Sequence, residues 1–126
     1  MPVTPKEFRA LALAFPDAEE HSHMHHPDFR VAGKIFATLG YPNKAYGMVK
    51  LTPEQQEELA HDEPTTFAPA NGAWGRKGAT TVHLKSAKKA TLRRALEAAW
   101  RNTAPQKLAQ ATTSQPPDSL SPPLLK

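Results

Sequence analysis

Apolar residues recur every three or four positions over residues 87–102, which is the spacing of a helix that buries one face. The residues of this apolar stripe are Leu92, Ala95, Leu96, Ala99 and Trp100. Lys89, Arg93 and Arg94 lie off the stripe. The pattern therefore predicts a last helix with an apolar inner side and a basic outer side.

Two further helices are predicted from capping boxes. Residues 4–7, TPKE, and residues 52–55, TPEQ, each place a threonine before a proline and a glutamate or glutamine three positions after the threonine. This arrangement lets the two side chains bond each other's backbone amides at a helix start. Apolar residues follow the first box at helical spacing until Pro16 ends that helix. The second box opens an acidic helix that we expect to end near Asp62.

Alternation of polar and apolar residues predicts the strands. Residues 28–39 predict a β-hairpin whose two-residue turn is Ala32-Gly33, and residues 46–51 predict a third strand. Residues 80–85 predict a further strand, with every second side chain on the same face. The residues expected to share the apolar faces of these strands are Phe29, Val31, Ile35, Ala37, Leu39, Thr80, Val82 and Leu84.

The order helix, strands, helix, strand, helix predicts one α+β domain over residues 1–109. We expect two layers, an antiparallel sheet of about five strands with helices packed mainly on one face, because short hairpin connections favour antiparallel pairing. Residues 64–78 contain two prolines and three glycines and are expected to form a loop. Residues 110–126 are rich in Pro, Ser and Thr, and we expect a disordered tail there.

The composition excludes several classes of protein. The chain has no cysteine, which rules out disulfides, thiolate catalysis and cysteine-ligated zinc. No run approaches the roughly 18 apolar residues of a membrane span. The first residues lack the small-residue cleavage pattern of a signal peptide. We therefore expect a cytoplasmic protein that does not enter the membrane.

Positive charge is concentrated in the second half of the chain. Residues 1–73 hold six Lys or Arg against ten Asp or Glu, whereas residues 74–107 hold nine Lys or Arg against Glu97 alone. Such a distribution is typical of a protein with a polyanionic partner, the alternative being a solvated basic surface. The residues that we expect to contact nucleic acid are Arg76, Lys77, Lys85, Lys88, Lys89 and Arg93.

Trp74 stands among three glycines and directly before the first of these cations. It could be a plate on which a base stacks, or a core or lid residue that anchors the loop. Because the chain has only two tryptophans and an indole is usually buried at least in part, we favour the core or lid.

A histidine cluster and possible catalytic groups are also present. His21, His23 and His25 would share one face of an extended segment, but alternate side chains on a strand lie too far apart to ligate one ion without bending. No serine lies in a G-x-S-x-G turn, and the glycines of residues 72–78 lack the ending of a phosphate-binding loop. We therefore expect no enzyme, no metal site and no cofactor.

Four segments carry a family resemblance: residues 22–40, 47–59, 72–84 and 96–108. The hairpin F-R-V-x-G-K-I-F and the segment W-G-x-x-G-x-T are specific in combination. With these segments the chain resembles the MmcQ/YjbR family of small bacterial proteins. The resemblance implies a YjbR-like α+β fold with an antiparallel sheet and a double-wing motif, and the function of a DNA-binding protein.

Two functional hypotheses follow from the sequence. The first is a non-catalytic, sequence-tolerant DNA-binding module that contacts phosphates through a basic loop and the last helix. The alternative is a domain that binds a small ligand or a protein at a sheet rim lined by the histidines and Trp74. The sequence does not indicate an oligomeric state.

Overall fold

Six strands and five helices are present in the computed structural model, which describes residues 3–23, 26–40 and 43–111. The strands are β1 Glu19–His23, β2 His26–Val31, β3 Lys34–Leu39, β4 Tyr46–Lys50, β5 Phe67–Pro69 and β6 Ala79–His83. The helices are α1 Pro5–Leu13, α2 Pro53–Asp62, α3 Gly72–Arg76, α4 Lys89–Thr103 and α5 Gln106–Ala111. Among the described helices, none combines the length and the apolar character that crossing a membrane requires.

The six strands form one antiparallel sheet in the order β1-β2-β3-β4-β6-β5. Helix α4 packs across β3 and β4, and α1 packs against α4 and β3. The predicted α+β fold is therefore confirmed, with six strands where the sequence predicted about five.

The core lies between the sheet and helices α1 and α4. All five residues of the predicted α4 stripe are buried. The indole N–H of Trp100 donates to the carbonyl oxygen of Pro16 at 3.1 Å, so the chain after α1 is fixed to α4. A Cβ at Gly47 would lie 2.6 Å from the ring of Phe8, so glycine at this position of β4 lets α1 approach the sheet closely.

Both predicted capping boxes form. In α1 the side chains of Thr4 and Glu7 each accept a hydrogen bond from the other's backbone amide, and Thr52 and Gln55 do the same in α2. Helix α2 ends at Asp62, as the sequence predicted. The sequence was sufficient to predict both capping boxes, because the groups that bond in each box lie within one helical turn of each other.

The β2–β3 hairpin is confirmed, but the pattern of side chains on its second strand is not. Phe29 lies opposite Ala37 while Arg30 lies opposite Ile35, so Phe36 is the extra residue of a β-bulge. The bulge brings Phe36 and Ala37 together to the buried side and leaves Ile35 partly exposed. The prediction that Ile35 shares the apolar face with Ala37 is therefore wrong, because it assumed unbroken alternation.

The segment predicted as a loop, residues 64–78, contains β5 and α3. Phe67 in β5 is buried opposite Val82 in β6, and this apolar pairing adds a short strand to the sheet edge. Pro69 is compatible with that position because an edge strand has one unpaired side. Helix α5 includes the first two residues of the predicted disordered tail, and residues 112–126 lie outside the described residues.

Candidate nucleic-acid interface

All six cations predicted to contact nucleic acid have exposed side chains. They are Arg76, Lys77, Lys85, Lys88, Lys89 and Arg93. The first two lie at the C-terminal end of α3, and the other four lie between the end of β6 and the second turn of α4. Helix ends and turns hold these side chains outside the packed sheet, where they can reach a partner.

A further cation lies near the first two. Lys50, the last residue of β4, is exposed and lies opposite Ala79 in β6, two residues after Lys77. We call Lys50, Arg76 and Lys77 the α3 group. In the linear sequence Lys50 falls within the acidic part of the chain. If the predicted strands 46–51 and 80–85 had been paired with each other, Lys50 would have been placed beside Arg76 and Lys77.

The remaining four cations lie at the opposite end of β6. We call them the α4 group: Lys85, Lys88, Lys89 and Arg93. Gly78 and Leu84 flank β6, and at about 3.3 Å per residue they are roughly 20 Å apart along the strand. The structure thus places the predicted residues in two groups, one at each end of β6, and not in a single cluster.

The start of α4 combines lysines with free helix amides. Lys88 is the N-cap residue and Lys89 begins the helix, and neither a capping side chain nor an acidic residue is present in the first turn. The amides of a helix start and a positive side chain both attract an anion. Two carboxylates from other parts of the chain also lie at this helix start, Glu7 beside Lys89 and Glu63 on Thr91, so the amides and cations there are partly offset by negative charge.

One cation of the two groups forms an ion pair. Lys89 Nζ lies 3.4 Å from Glu7 Oε2. A hydrogen bond from the backbone of Thr4, with a smaller contribution from Lys89, lowers the pKa of Glu7 and keeps this carboxylate charged. Among the described residues, the other cations of the two groups have no carboxylate within 4.0 Å. Their charges remain available to a polyanion.

Arg30 is neutralised by a buried partner. Its guanidinium donates to both carboxylate oxygens of Asp28, at 2.8 and 3.2 Å, and Asp28 is almost completely buried. The hydrogen bond to Asp28 raises the pKa of Arg30. A bidentate pair of this kind fixes the guanidinium and cancels its charge. Arg30 therefore belongs to the structure of the sheet and not to the basic surface.

An acidic surface lies beside α4. Helix α2 runs antiparallel to α4: Gln55 bonds Asn102 near one end, and Glu63 accepts a hydrogen bond from Thr91 at the other. A shallow depression on the exposed side of α2 is lined by Glu54, Glu57, Glu58, His61 and Asp62. This acidic surface repels phosphates, so it limits the directions from which a polyanion can approach α4.

Trp74 is exposed over 63% of its surface. The prediction that it is a core or lid residue is therefore wrong. The inward position of α3 belongs to Gly75, which is buried against the carbonyl of Ala70. Neighbouring residues of a helix point about 100° apart, so burial of Gly75 turns the indole of Trp74 toward solvent.

The turn that carries Trp74 is held at several points. The side-chain amide of the buried Gln56 donates to the carbonyl oxygens of Gly75 at 2.9 Å and Ala79 at 3.0 Å. A Cβ at Gly78 would lie 1.8 Å from the carbonyl oxygen of Leu51, so this end of the turn also touches neighbouring backbone. No local sequence pattern indicates the role of Gln56, because its partners lie 19 and 23 residues away.

Histidines and a tyrosine form a row on the sheet face opposite α4. The ring of His26 lies over Gly40, whose amide donates to the carbonyl oxygen of Tyr46. The Tyr46 and His83 rings follow with centroids 5.2 Å apart. His83 Nδ1 then lies 2.7 Å from Ser86 Oγ. These contacts join the ends of four neighbouring strands, β2, β3, β4 and β6, through polar and aromatic groups.

The structure does not bring this row together with Trp74. The row lies at the His83 end of β6, whereas α3 precedes Ala79 at the other end. His25, part of the predicted histidine cluster, lies outside the described residues. Within the described part of the chain, no three His, Asp or Glu side chains are grouped so that they could hold a metal ion. The rim predicted for the ligand-binding alternative is therefore divided into two separate places.

Comparison with known proteins assigns this chain to a family. The YjbR family model matches residues 13–102. The crystal structure of Deinococcus radiodurans protein DR2400, which carries the family domain DUF419, superimposes with a TM-score of 0.68 and 19% sequence identity. That superposition covers 94% of this chain and 88% of the other. No curated protein matches the chain. Since the family model covers well over half of the sequence, the chain belongs to the YjbR family.

Proposed function

We propose that this protein is a cytoplasmic, non-catalytic DNA-binding protein that contacts phosphates through the α3 group and the α4 group. The proposal rests on one observation, the exposure and lack of ion pairing of the cations in these two groups. All seven are exposed, and within the described residues only Lys89 has a carboxylate partner. Unpaired cations release counterions from DNA when they bind phosphates, and this release provides sequence-independent affinity.

The separation of the two groups is compatible with one DNA molecule. About 20 Å along β6 corresponds to roughly six phosphates of one strand at about 3.4 Å each. The distance between the two groups is therefore within the span of one duplex. The two groups offer charge and no paired amides for reading base edges, so we expect little sequence preference.

The experiment measures binding of two unrelated duplexes by fluorescence anisotropy over a range of salt concentrations. About four phosphate contacts give a slope of log affinity against log salt near −3.6. The variants Arg76→Ala/Lys77→Ala and Lys85→Ala/Lys88→Ala should each weaken binding of both duplexes. Each should also make the salt slope less steep by the contribution of roughly two phosphate contacts.

The matched control is Lys34→Ala/Lys107→Ala, which removes the same charge from exposed positions outside both groups. It should change affinity much less than either test variant. Melting temperatures of all variants should agree closely, because exposed cations contribute little to folding. Absence of binding at low salt, or equal losses in the control and test variants, would refute the proposal.

A further inference from the structure

An exposed tryptophan is unusual in this molecule. Its largest completely buried side chains include Trp100, Phe8, Phe29, Phe36 and Phe67, so most other large rings of the described residues lie in the core. Among the described residues the only large apolar side chains classed as exposed are Trp74, at 63%, and Leu13, at 37%. The indole of Trp74 thus forgoes most of the burial that its apolar surface favours, and folding of the core does not require this position.

The exposed indole is carried on a fixed turn. Gly75 fits directly against the carbonyl of Ala70, Gly78 fits against Leu51, and the amide of Gln56 bonds the carbonyl of Gly75. A turn held at three points has its backbone in place before any partner arrives. A ligand that contacts a preformed turn loses less conformational entropy than one that must first order a loop.

Cations lie close to Trp74 along the chain and across the neighbouring strand pair. Arg76 and Lys77 follow Trp74 within three residues, and Lys50 lies across the strand pair, opposite Ala79. None of these three cations has a carboxylate partner within the described residues. An aromatic plate beside free cations is the combination by which proteins bind single strands: the ring stacks on a base and the cations contact the flanking phosphates.

The surroundings of Trp74 favour an unpaired base over the other partners of an exposed ring. Bases inside a duplex are stacked on each other and offer no free face to a side chain on a protein surface. The centre of a protein–protein interface is depleted in charged residues, whereas the three cations of the α3 group lie close to this indole in the chain or across the strand pair. No second large apolar side chain of the described residues extends the patch, since Leu13 belongs to α1.

We infer that α3 is a stacking platform for an unpaired base, with Trp74 as the plate and the α3 group as its phosphate contacts. The preferred ligand of this end of the molecule is therefore single-stranded nucleic acid or a duplex with an unpaired end. The inference rests on the proposed function, because it uses the same cations. It adds a contact that duplex binding does not use.

The test compares a labelled 12-nucleotide single strand with a blunt duplex of that strand and its complement by fluorescence anisotropy at low salt. Trp74→Ala should weaken single-strand binding by on the order of ten-fold and leave duplex binding unchanged, because stacking is the contact removed. Trp74→Phe should retain most of the affinity, since a smaller ring still stacks. Leu13→Ala, at the other exposed apolar side chain, should change neither affinity.

Intrinsic fluorescence supplies a second measurement. The chain has two tryptophans, of which Trp100 is buried and Trp74 exposed. Emission of the native protein should be quenched when the unlabelled single strand binds. The Trp74→Phe variant, which retains only the buried indole, should bind without a change in emission.

The outcomes separate the two proposals. If both nucleic acids bind and Trp74→Ala weakens neither, or weakens both equally, the stacking inference is refuted while phosphate binding by the α3 group stands. If neither nucleic acid binds, both proposals are refuted. Sedimentation of the native protein and Trp74→Ala adds one further outcome: an oligomer that dissociates in the variant would make Trp74 a self-association contact and overturn the inference.

Discussion

Gly75 leaves no space for a side chain, because a Cβ there would lie 1.7 Å from the carbonyl oxygen of Ala70. Gly72 stands in the same turn with a φ of +74°, and a Cβ at that position would have no other atom within 4 Å. Gly75→Ala must displace backbone and should lower the free energy of unfolding by about 3 kcal/mol. Gly72→Ala requires only a left-handed backbone and should lower it by about 1 kcal/mol.

Urea unfolding of the two variants measures this difference, since a single domain of this size is expected to unfold in one transition. Equal losses would mean that the turn can move away from Ala70, and that Trp74 is not held as tightly as the contacts indicate.

Trp74 and Gly75 also show which kind of burial cannot be predicted from residue type and local spacing. The residues of the α4 stripe were assigned correctly because their burial follows from spacing along one helix. Trp74 was assigned to the core because large rings are usually buried. Its actual exposure depends on the approach of Ala70 to Gly75 and on a hydrogen bond from Gln56, and no local pattern contains either contact.

Helix α3 has five residues and depends on its neighbours for stability, because a helix of this length does not persist alone. Gln56→Ala removes the donor from the buried carbonyl oxygens of Gly75 and Ala79. Each carbonyl oxygen keeps one backbone donor, from Gly78 and Ala70 respectively, so the change removes two hydrogen bonds of roughly 1 kcal/mol each and the free energy of unfolding should fall by about 2 kcal/mol. The amides of Lys77 and Gly78 should also exchange with deuterium faster, while the amides of α4 remain protected.

The control for this prediction is Glu57→Ala, an exposed neighbour in the same helix, which should change stability by no more than about 0.5 kcal/mol. Equal exchange rates in native protein and Gln56→Ala would show that α3 is held by the glycine contacts alone.

Elements differ in how far the sequence determines them. The β2–β3 hairpin was predicted because Ala32 and Gly33 favour a two-residue turn, and both have the positive φ that such a turn requires. Its bulge was not predicted, since the extra residue Phe36 is selected by packing against the core. Strand β5 was also missed, because three residues are too few for an alternation to be recognised.

Over the whole molecule, the sequence predicted the excess of positive charge but not its layout. The α3 and α4 groups are close in the chain, yet β6 separates them by roughly 20 Å. Lys50 comes from the acidic part of the sequence and joins the α3 group through strand pairing. Helix α2, whose exposed side is acidic, is bonded to α4 through the pairs that its two ends form. Each of these relations is set by tertiary contacts, which linear charge counting does not include.

That layout predicts how acidic residues influence binding. Glu57 and Glu58 lie on the exposed side of α2, beside α4, and should repel a phosphate chain that approaches the α4 group. Glu57→Gln/Glu58→Gln should raise duplex affinity about two- to five-fold at low salt, and the gain should shrink as salt screens the repulsion. The control Asp17→Asn/Glu19→Gln removes the same charge from exposed positions around the β1 edge, at the far side of the sheet, and should give a smaller gain. Anisotropy titrations of both variants over the salt series decide the point: equal gains would mean that only net charge matters and that duplex DNA does not bind at a defined surface beside α4.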